Sequence, residues 1–133
     1  AQTIGYFNDL VYVCAPAPLQ MGVARGLEAL GVDYYEGLSR EYSSKRDRVC
    51  HALKKAGLNP HVPQGAYYIL ANVSGLPGKN SKERAMYLLK RTGVASVPGE
   101  AFYDGDGGEN LARFCFAKED DVLEEACKRL LSL

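Results

Sequence analysis

One arginine stands alone in an apolar stretch near the end of the sequence. Arg113 lies in the segment NLARFCFA, residues 110–117, whose hydrophobic composition predicts a half-buried strand. Arginine is almost never fully buried without a partner, so Arg113 needs one. Its guanidinium offers a rigid fork of N–H donors that suits a planar carboxylate. That carboxylate can belong to a ligand or to an internal Asp or Glu, and the residues alone favour the internal ion pair.

Alternation along this predicted strand assigns each side chain to one of two faces. Ala112, Phe114 and Phe116 share one face, which we expect to pack against helices, whereas Arg113 shares the other with Leu111 and Cys115.

Two aromatic residues near glycines are further candidates for the same site. Tyr67 lies in VPQGAYYIL, residues 62–70, and Phe102 lies in SVPGEAFY, residues 96–103. One interpretation is ordinary packing of turns and strands. The other is that Tyr67 or Phe102 helps to wall a pocket near Arg113.

The elements that must position these residues follow from hydrophobic periodicity and from residues typical of helix ends. Helices are predicted over 18–30, 33–56, 81–92 and 119–131, and strands over 65–73, 94–97 and 110–117. Asp33 and Asn80 are expected N-caps, with Glu83 in the capping-box position. The fold class is therefore α+β, in two layers. A small, mainly antiparallel sheet carries helices on one face and follows a long helix.

The loop DGDGGE, residues 104–109, resembles two ligand-binding motifs but fits neither. An EF-hand counted from Asp104 would need a glutamate at its twelfth position, which is Cys115. A phosphate-binding glycine loop opens a helix, whereas this one leads into a strand. We therefore expect a flexible surface turn.

Composition excludes several classes of function. Lys+Arg and Asp+Glu are both 16, and this balance argues against a nucleic-acid or anionic-membrane binder. The longest uncharged run, residues 10–24, contains prolines and is too short to span a bilayer. No signal peptide is visible. The four cysteines form no C-x-x-C pair, so we expect no metal site, and free thiols in a reducing cytoplasm are the simpler interpretation. A first residue other than Met suggests a piece of a longer protein.

Four segments together resemble the class I/II aminotransferases, pyridoxal-phosphate (PLP) enzymes of fold type I. They are VCAPAPLQMGVARGLEAL (13–30), VPQGAYYIL (62–70), GVASVPGEAFY (93–103) and NLARFCFA (110–117). Each motif is weak alone, but their order and spacing are specific in combination. The resemblance covers nearly the whole chain and corresponds to the C-terminal part of the family.

The resemblance implies roles by position. Arg113 matches the arginine that binds the substrate's α-carboxylate, and Tyr67 and Phe102 match aromatic residues near the substrate. Residues 1–31 would be the tail end of the large PLP-binding domain. Residues 32–133 would be the interdomain helix and the small domain. The full-length enzyme would be a cytoplasmic homodimer that moves an amino group between an amino acid and a 2-oxo acid.

One departure from the family pattern limits what this chain can do by itself. The family's Schiff-base lysine lies upstream of the P-x-P-x-Q element, and here the first lysine is Lys45, well after Gln20. The chain alone is therefore expected to hold no catalytic residue, to bind no PLP and to be inactive. The alternative is a stand-alone, non-catalytic α+β module that binds a small acid or a protein.

Overall fold

The computed structural model describes residues 2–12 and 14–133, so Ala1 and Val13 lie outside the described residues. The chain forms two compact units, one ending at Leu38 and the other covering Ser39–Leu133. The helices are α1 (Gln2–Tyr12), α2 (Ala17–Ala29), α3 (Val32–Lys55), α4 (Ser81–Thr92) and α5 (Asp120–Leu130). The strands are β1 (Asn59–His61), β2 (Tyr68–Asn72), β3 (Val97–Pro98) and β4 (Leu111–Cys115). Two 3-10 turns cover Gly99–Ala101 and Asp106–Gly108.

The second unit is built on one four-stranded sheet in the order β1-β2-β4-β3. Every neighbouring pair is antiparallel, and Arg113 in β4 lies opposite Leu70 of β2 and Val97 of β3. The predicted α+β fold with a small antiparallel sheet is therefore confirmed.

One face of the sheet forms the hydrophobic core. Alternate residues of β2 and β4 are buried there, which is the expected pattern for a sheet covered on one side. They are Ile69, Ala71, Ala112 and Phe114. Helices supply the other layer of the core through Val49, Leu53, Leu88, Leu123 and Leu130. The opposite face, which carries Arg113, is only half-buried.

The ends of α4 follow the capping signals in the sequence. The Asn80 side chain accepts a hydrogen bond from the Glu83 N–H at 2.9 Å, so the predicted N-cap is confirmed. The Glu83 carboxylate accepts from the Lys79 N–H at 2.9 Å, one residue before the position that a capping box uses. Gly93 ends the helix with φ 74°, a left-handed conformation that glycine adopts without strain.

The structure corrects several sequence-based boundaries. Asp33 lies in the first turn of α3 and is not its N-cap. β2 begins at Tyr68 rather than at 65, because Ala66 takes a positive φ of 59° that interrupts the extended chain. β3 has only two residues, Val97 and Pro98, and begins later than the predicted strand at 94.

Two elements were not predicted. β1 contains Pro60, which argues against a central strand but is tolerated at the sheet edge where β1 lies. Helix α1 lies before the first predicted helix, and its apolar residues Ile4, Phe7, Leu10 and Val11 recur at helical spacing. All described side chains of α1 are exposed, so its apolar residues do not pack into a hydrophobic core among the described residues.

Removing the α4 cap should cost measurable stability. We expect Asn80→Ala to lower the free energy of unfolding by about 1 kcal/mol, because the Glu83 N–H loses its acceptor. Urea unfolding of the chain measures this. Asn59→Ala, at an exposed position of edge strand β1, is the matched control and should change stability by less than about 0.5 kcal/mol. Equal losses from the two variants would contradict the capping role.

Candidate functional site

Arg113 lies at the middle of the face of the sheet that the core leaves open. The register brings Leu70 and Val97 opposite it, one from each neighbouring strand. Its side chain is half-buried, whereas the adjacent Ala112 and Phe114 are buried on the helical side. The alternation predicted for this strand is therefore present, with Arg113 facing away from the core.

Two aromatic rings, rather than a carboxylate, surround the guanidinium. The Cζ atom of Arg113 lies 4.0 Å from the ring centroid of Tyr68 and 4.3 Å from that of Phe102. Throughout residues 2–12 and 14–133, no Asp or Glu forms an ion pair with Arg113. The internal ion pair that the residues alone favoured is therefore wrong for this part of the chain.

Cation–π contacts fix the position of a cationic group without neutralising its charge. Each contributes about 0.5–1 kcal/mol at an exposed site and about 2 kcal/mol when it is shielded from water. The attraction arises from the ring quadrupole, so Arg113 keeps its full positive charge and its N–H donors. The arrangement can bind an anion that reaches the open face of the sheet, and a planar carboxylate fits the guanidinium fork best.

Phe102 is held in place through α4. The turn before it closes with a hydrogen bond from the Phe102 N–H to the Gly99 carbonyl at 2.9 Å. The fully buried Ser81 hydroxyl donates to the Glu100 carboxylate at 2.8 Å and accepts from the Glu100 N–H at 3.2 Å. Ser81, the first residue of α4, thus fixes the turn that places the Phe102 ring beside Arg113.

The loop at 104–109 has a structural role that the sequence did not reveal. Gly108 is buried, and its backbone packs directly on that of Gly99. A Cβ at Gly108 would lie closer to the Gly99 carbonyl than van der Waals contact allows, and 2.7 Å from the Glu100 nitrogen. Arg84 holds the far end of the loop, donating to the Glu109 carbonyl at 2.9 Å. The loop is therefore a packed support for the turn that carries Phe102, and the expectation of a flexible turn missed this contact.

Tyr67 lies beside the arginine site but packs on another ring. Its ring centroid is 4.4 Å from that of Tyr68, and the residue is 44% exposed. Hydrogen bonding with Tyr67 raises the pKa of Tyr68 above the ordinary phenol value of about 10, at which a phenol is already neutral at physiological pH. Phe102 contacts Arg113 directly, whereas the described contact of Tyr67 is with Tyr68. Sequence reasoning missed Tyr68 as a member of the site, although strand alternation places it on the face of Arg113.

The one buried lysine among the described residues does not suit a Schiff base with pyridoxal phosphate. A Schiff-base lysine must present a neutral amine, which enzymes obtain by lowering its pKa. Lys45 is the one buried lysine of the described chain, and its amine lies 2.5 Å from the Glu41 carboxylate. That hydrogen bond raises the pKa of Lys45 and holds it charged. Lys45 therefore lacks the neutral amine that a Schiff base requires.

Metal-binding clusters and membrane spans are also absent from the described ranges. No three His, Cys, Asp or Glu side chains among residues 2–12 and 14–133 come together as metal ligands. None of the helices that the structure describes has the length and apolarity needed to cross a membrane.

Comparison with known proteins supports the resemblance seen in the motifs. The family model for aminotransferase class I and II matches residues 4–130. A kynurenine–oxoglutarate transaminase of Dictyostelium discoideum is 36% identical over 95% of this chain and 34% of its own length. A probable N-succinyldiaminopimelate aminotransferase of Mycobacterium tuberculosis is 32% identical over 86% of this chain and 31% of its own length.

Solved structures agree in fold. YbdL from Escherichia coli, described as having a methionine aminotransferase function, superposes with a TM-score of 0.80 at 30% identity, covering 95% of this chain and 32% of YbdL. The N-succinyldiaminopimelate aminotransferase of M. tuberculosis gives 0.78 at 34% identity, covering 93% and 32%. The chain thus spans about a third of the length of the proteins it matches. On this evidence, the chain belongs to the family of class I and II aminotransferases.

Proposed function

We propose that this chain supplies the α-carboxylate site of a PLP-dependent aminotransferase. Residues 32–133 would be the interdomain helix and small domain, and residues 1–31 the end of the large domain. The proposal rests mainly on the surroundings of the Arg113 side chain. It is half-buried on the open face of the sheet, held by two neutral rings, and lacks an ion pair among the described residues.

The role of Arg113 follows from its charge and shape. Two parallel N–H groups of a guanidinium bind both oxygens of a carboxylate, which fixes the orientation of the attached Cα. Correct orientation of the reacting bond accounts for a large part of the rate acceleration by an enzyme. Closure of the small domain over the substrate would also exclude water. Phe102 and the exposed Tyr67 would then line the substrate beside Arg113.

The substrate class is an amino acid and a 2-oxo acid. The relatives are named for kynurenine with oxoglutarate and for N-succinyldiaminopimelate. These compounds differ in their side chains but all carry an α-carboxylate, which is the group that Arg113 would bind. PLP, when bound in the full-length enzyme, supplies the electron sink, and its binding residues would lie in the large domain. The full-length enzyme would work as a cytoplasmic homodimer.

The proposal predicts a clear difference between the isolated chain and the full-length protein. With PLP and an amino acid, the full-length protein should interconvert the aldehyde and amine forms of the cofactor, which differ in absorbance. Borohydride should trap a lysine adduct. The chain of 133 residues should do neither, because its first lysine, Lys45, comes well after the P-x-P-x-Q element that the family's Schiff-base lysine precedes. Turnover by the isolated chain, or a full-length protein without transaminase activity, would contradict the proposal.

A further inference from the structure

Tyr68 contacts the guanidinium more closely than Phe102 does, yet no motif in the sequence drew attention to it. Its ring centroid lies 4.0 Å from the Arg113 Cζ atom. In the register, Tyr68 pairs with Cys115, so it lies one diagonal step from Arg113 on the same face of the sheet. Phe102 reaches the same atom from the chain that follows β3, on the other side of β4.

We propose that Tyr68 is a positioning residue for substrate binding. Its ring and that of Phe102 hold the Arg113 guanidinium in place, a role that an internal carboxylate could otherwise fill. This inference rests on the proposed carboxylate role of Arg113. An ion pair within the protein would fix the arginine equally well, but the substrate would then have to displace it. Neutral rings fix the side chain and leave its charge for the substrate.

The ring of Tyr68, rather than its hydroxyl group, carries this role. The phenol is neutral at physiological pH, because its ordinary pKa is about 10 and hydrogen bonding with Tyr67 raises that pKa further. A phenolate beside Arg113 would neutralise the guanidinium and compete with the substrate. Phenylalanine at position 68 should therefore preserve the function, whereas an aliphatic residue of similar size should not.

Steady-state kinetics of the full-length enzyme test the proposal. Tyr68→Leu should raise KM for both the amino acid and the 2-oxo acid about tenfold, the scale of a partly shielded cation–π contact. Its kcat and its affinity for PLP should change less than about twofold. Tyr68→Phe should resemble the wild type. Tyr87→Leu, on α4, is the matched control for loss of a half-buried tyrosine and should also leave KM unchanged. A KM unaffected by Tyr68→Leu, or raised equally by Tyr68→Phe, would overturn the inference.

A double-mutant cycle separates positioning from general damage to the fold. In an Arg113→Ala background, Tyr68→Leu should add no further increase in KM, because no guanidinium remains to be held. The single-turnover rate with an amine that lacks the carboxylate should also be indifferent to Tyr68→Leu. Additive losses in the cycle, or an equal loss with the amine, would overturn the positioning role.

The same measurements distinguish the two proposals. If Arg113→Ala itself leaves KM unchanged, the carboxylate role of Arg113 is wrong and this inference falls with it. If Arg113→Ala raises KM while Tyr68→Leu does not, the carboxylate role stands and only the inference about Tyr68 is wrong.

Discussion

In the full-length enzyme, Arg113→Ala should raise KM for the amino acid roughly 100-fold while the affinity for PLP is unchanged. Two charge-assisted hydrogen bonds to the substrate carboxylate are lost, at a combined cost of about 3 kcal/mol. The cofactor should bind as before, since its binding residues would lie in the large domain. Initial rates over a range of amino-acid concentrations measure KM, and titration of the apoenzyme measures PLP affinity.

Arg113→Lys refines the same test. Lysine keeps the positive charge but is a point donor that cannot form the paired contacts of a guanidinium. We expect KM to rise about tenfold, between the wild type and the alanine variant. Arg91→Ala, at an exposed position near the end of α4, is the matched control for loss of a positive charge. Kinetics unchanged by both Arg113 variants would show that the substrate carboxylate is bound elsewhere.

Gly108→Ala should lower the free energy of unfolding by about 3 kcal/mol, the upper end for overpacking of a close contact. The added methyl group would overlap the Gly99 carbonyl and approach the Glu100 nitrogen to 2.7 Å. Relief requires backbone movement, because no flexible side chain separates the two glycines. Urea unfolding of the chain measures the loss.

The control for Gly108 is a glycine without close neighbours. A Cβ at Gly75 meets no atom within 4 Å, and Gly75 is not among the positive-φ glycines. Gly75→Ala should change stability by less than about 0.5 kcal/mol. In the full-length enzyme, Gly108→Ala should also raise KM for the amino acid, because displacing the turn moves Phe102 away from Arg113. Similar stability for both glycine variants would contradict the packing of Gly108 on Gly99.

Local patterns were sufficient for the α+β fold class and for the orientation of Arg113. The N-cap of α4 was identified from Asn80 and confirmed, because capping depends only on residues three apart. Strand alternation correctly separated Arg113 from Phe114, since neighbouring side chains in a strand must point to opposite faces. The fold class follows from the order of the elements once their types are known.

Contacts between distant segments were beyond the reach of local patterns. Alternation in β2 places Tyr68 on the face opposite Ile69, but its proximity to Arg113 follows only from the register of β2 on β4. The burial of Gly108 depends on the approach of Gly99, nine residues earlier in the sequence, through a turn that no motif specifies. The neighbours of Arg113 could not be predicted for the same reason. Composition does not tell whether an aromatic ring or a carboxylate lies beside the guanidinium.

The most direct test of the carboxylate role is a structure of the full-length enzyme with PLP and a bound amino acid. It should show both oxygens of the substrate's α-carboxylate about 2.7–2.9 Å from the guanidinium nitrogens of Arg113. Tyr68 and Phe102 should still flank the same side chain. A substrate carboxylate bound by other residues, with Arg113 paired to an Asp or Glu of the protein, would contradict the account.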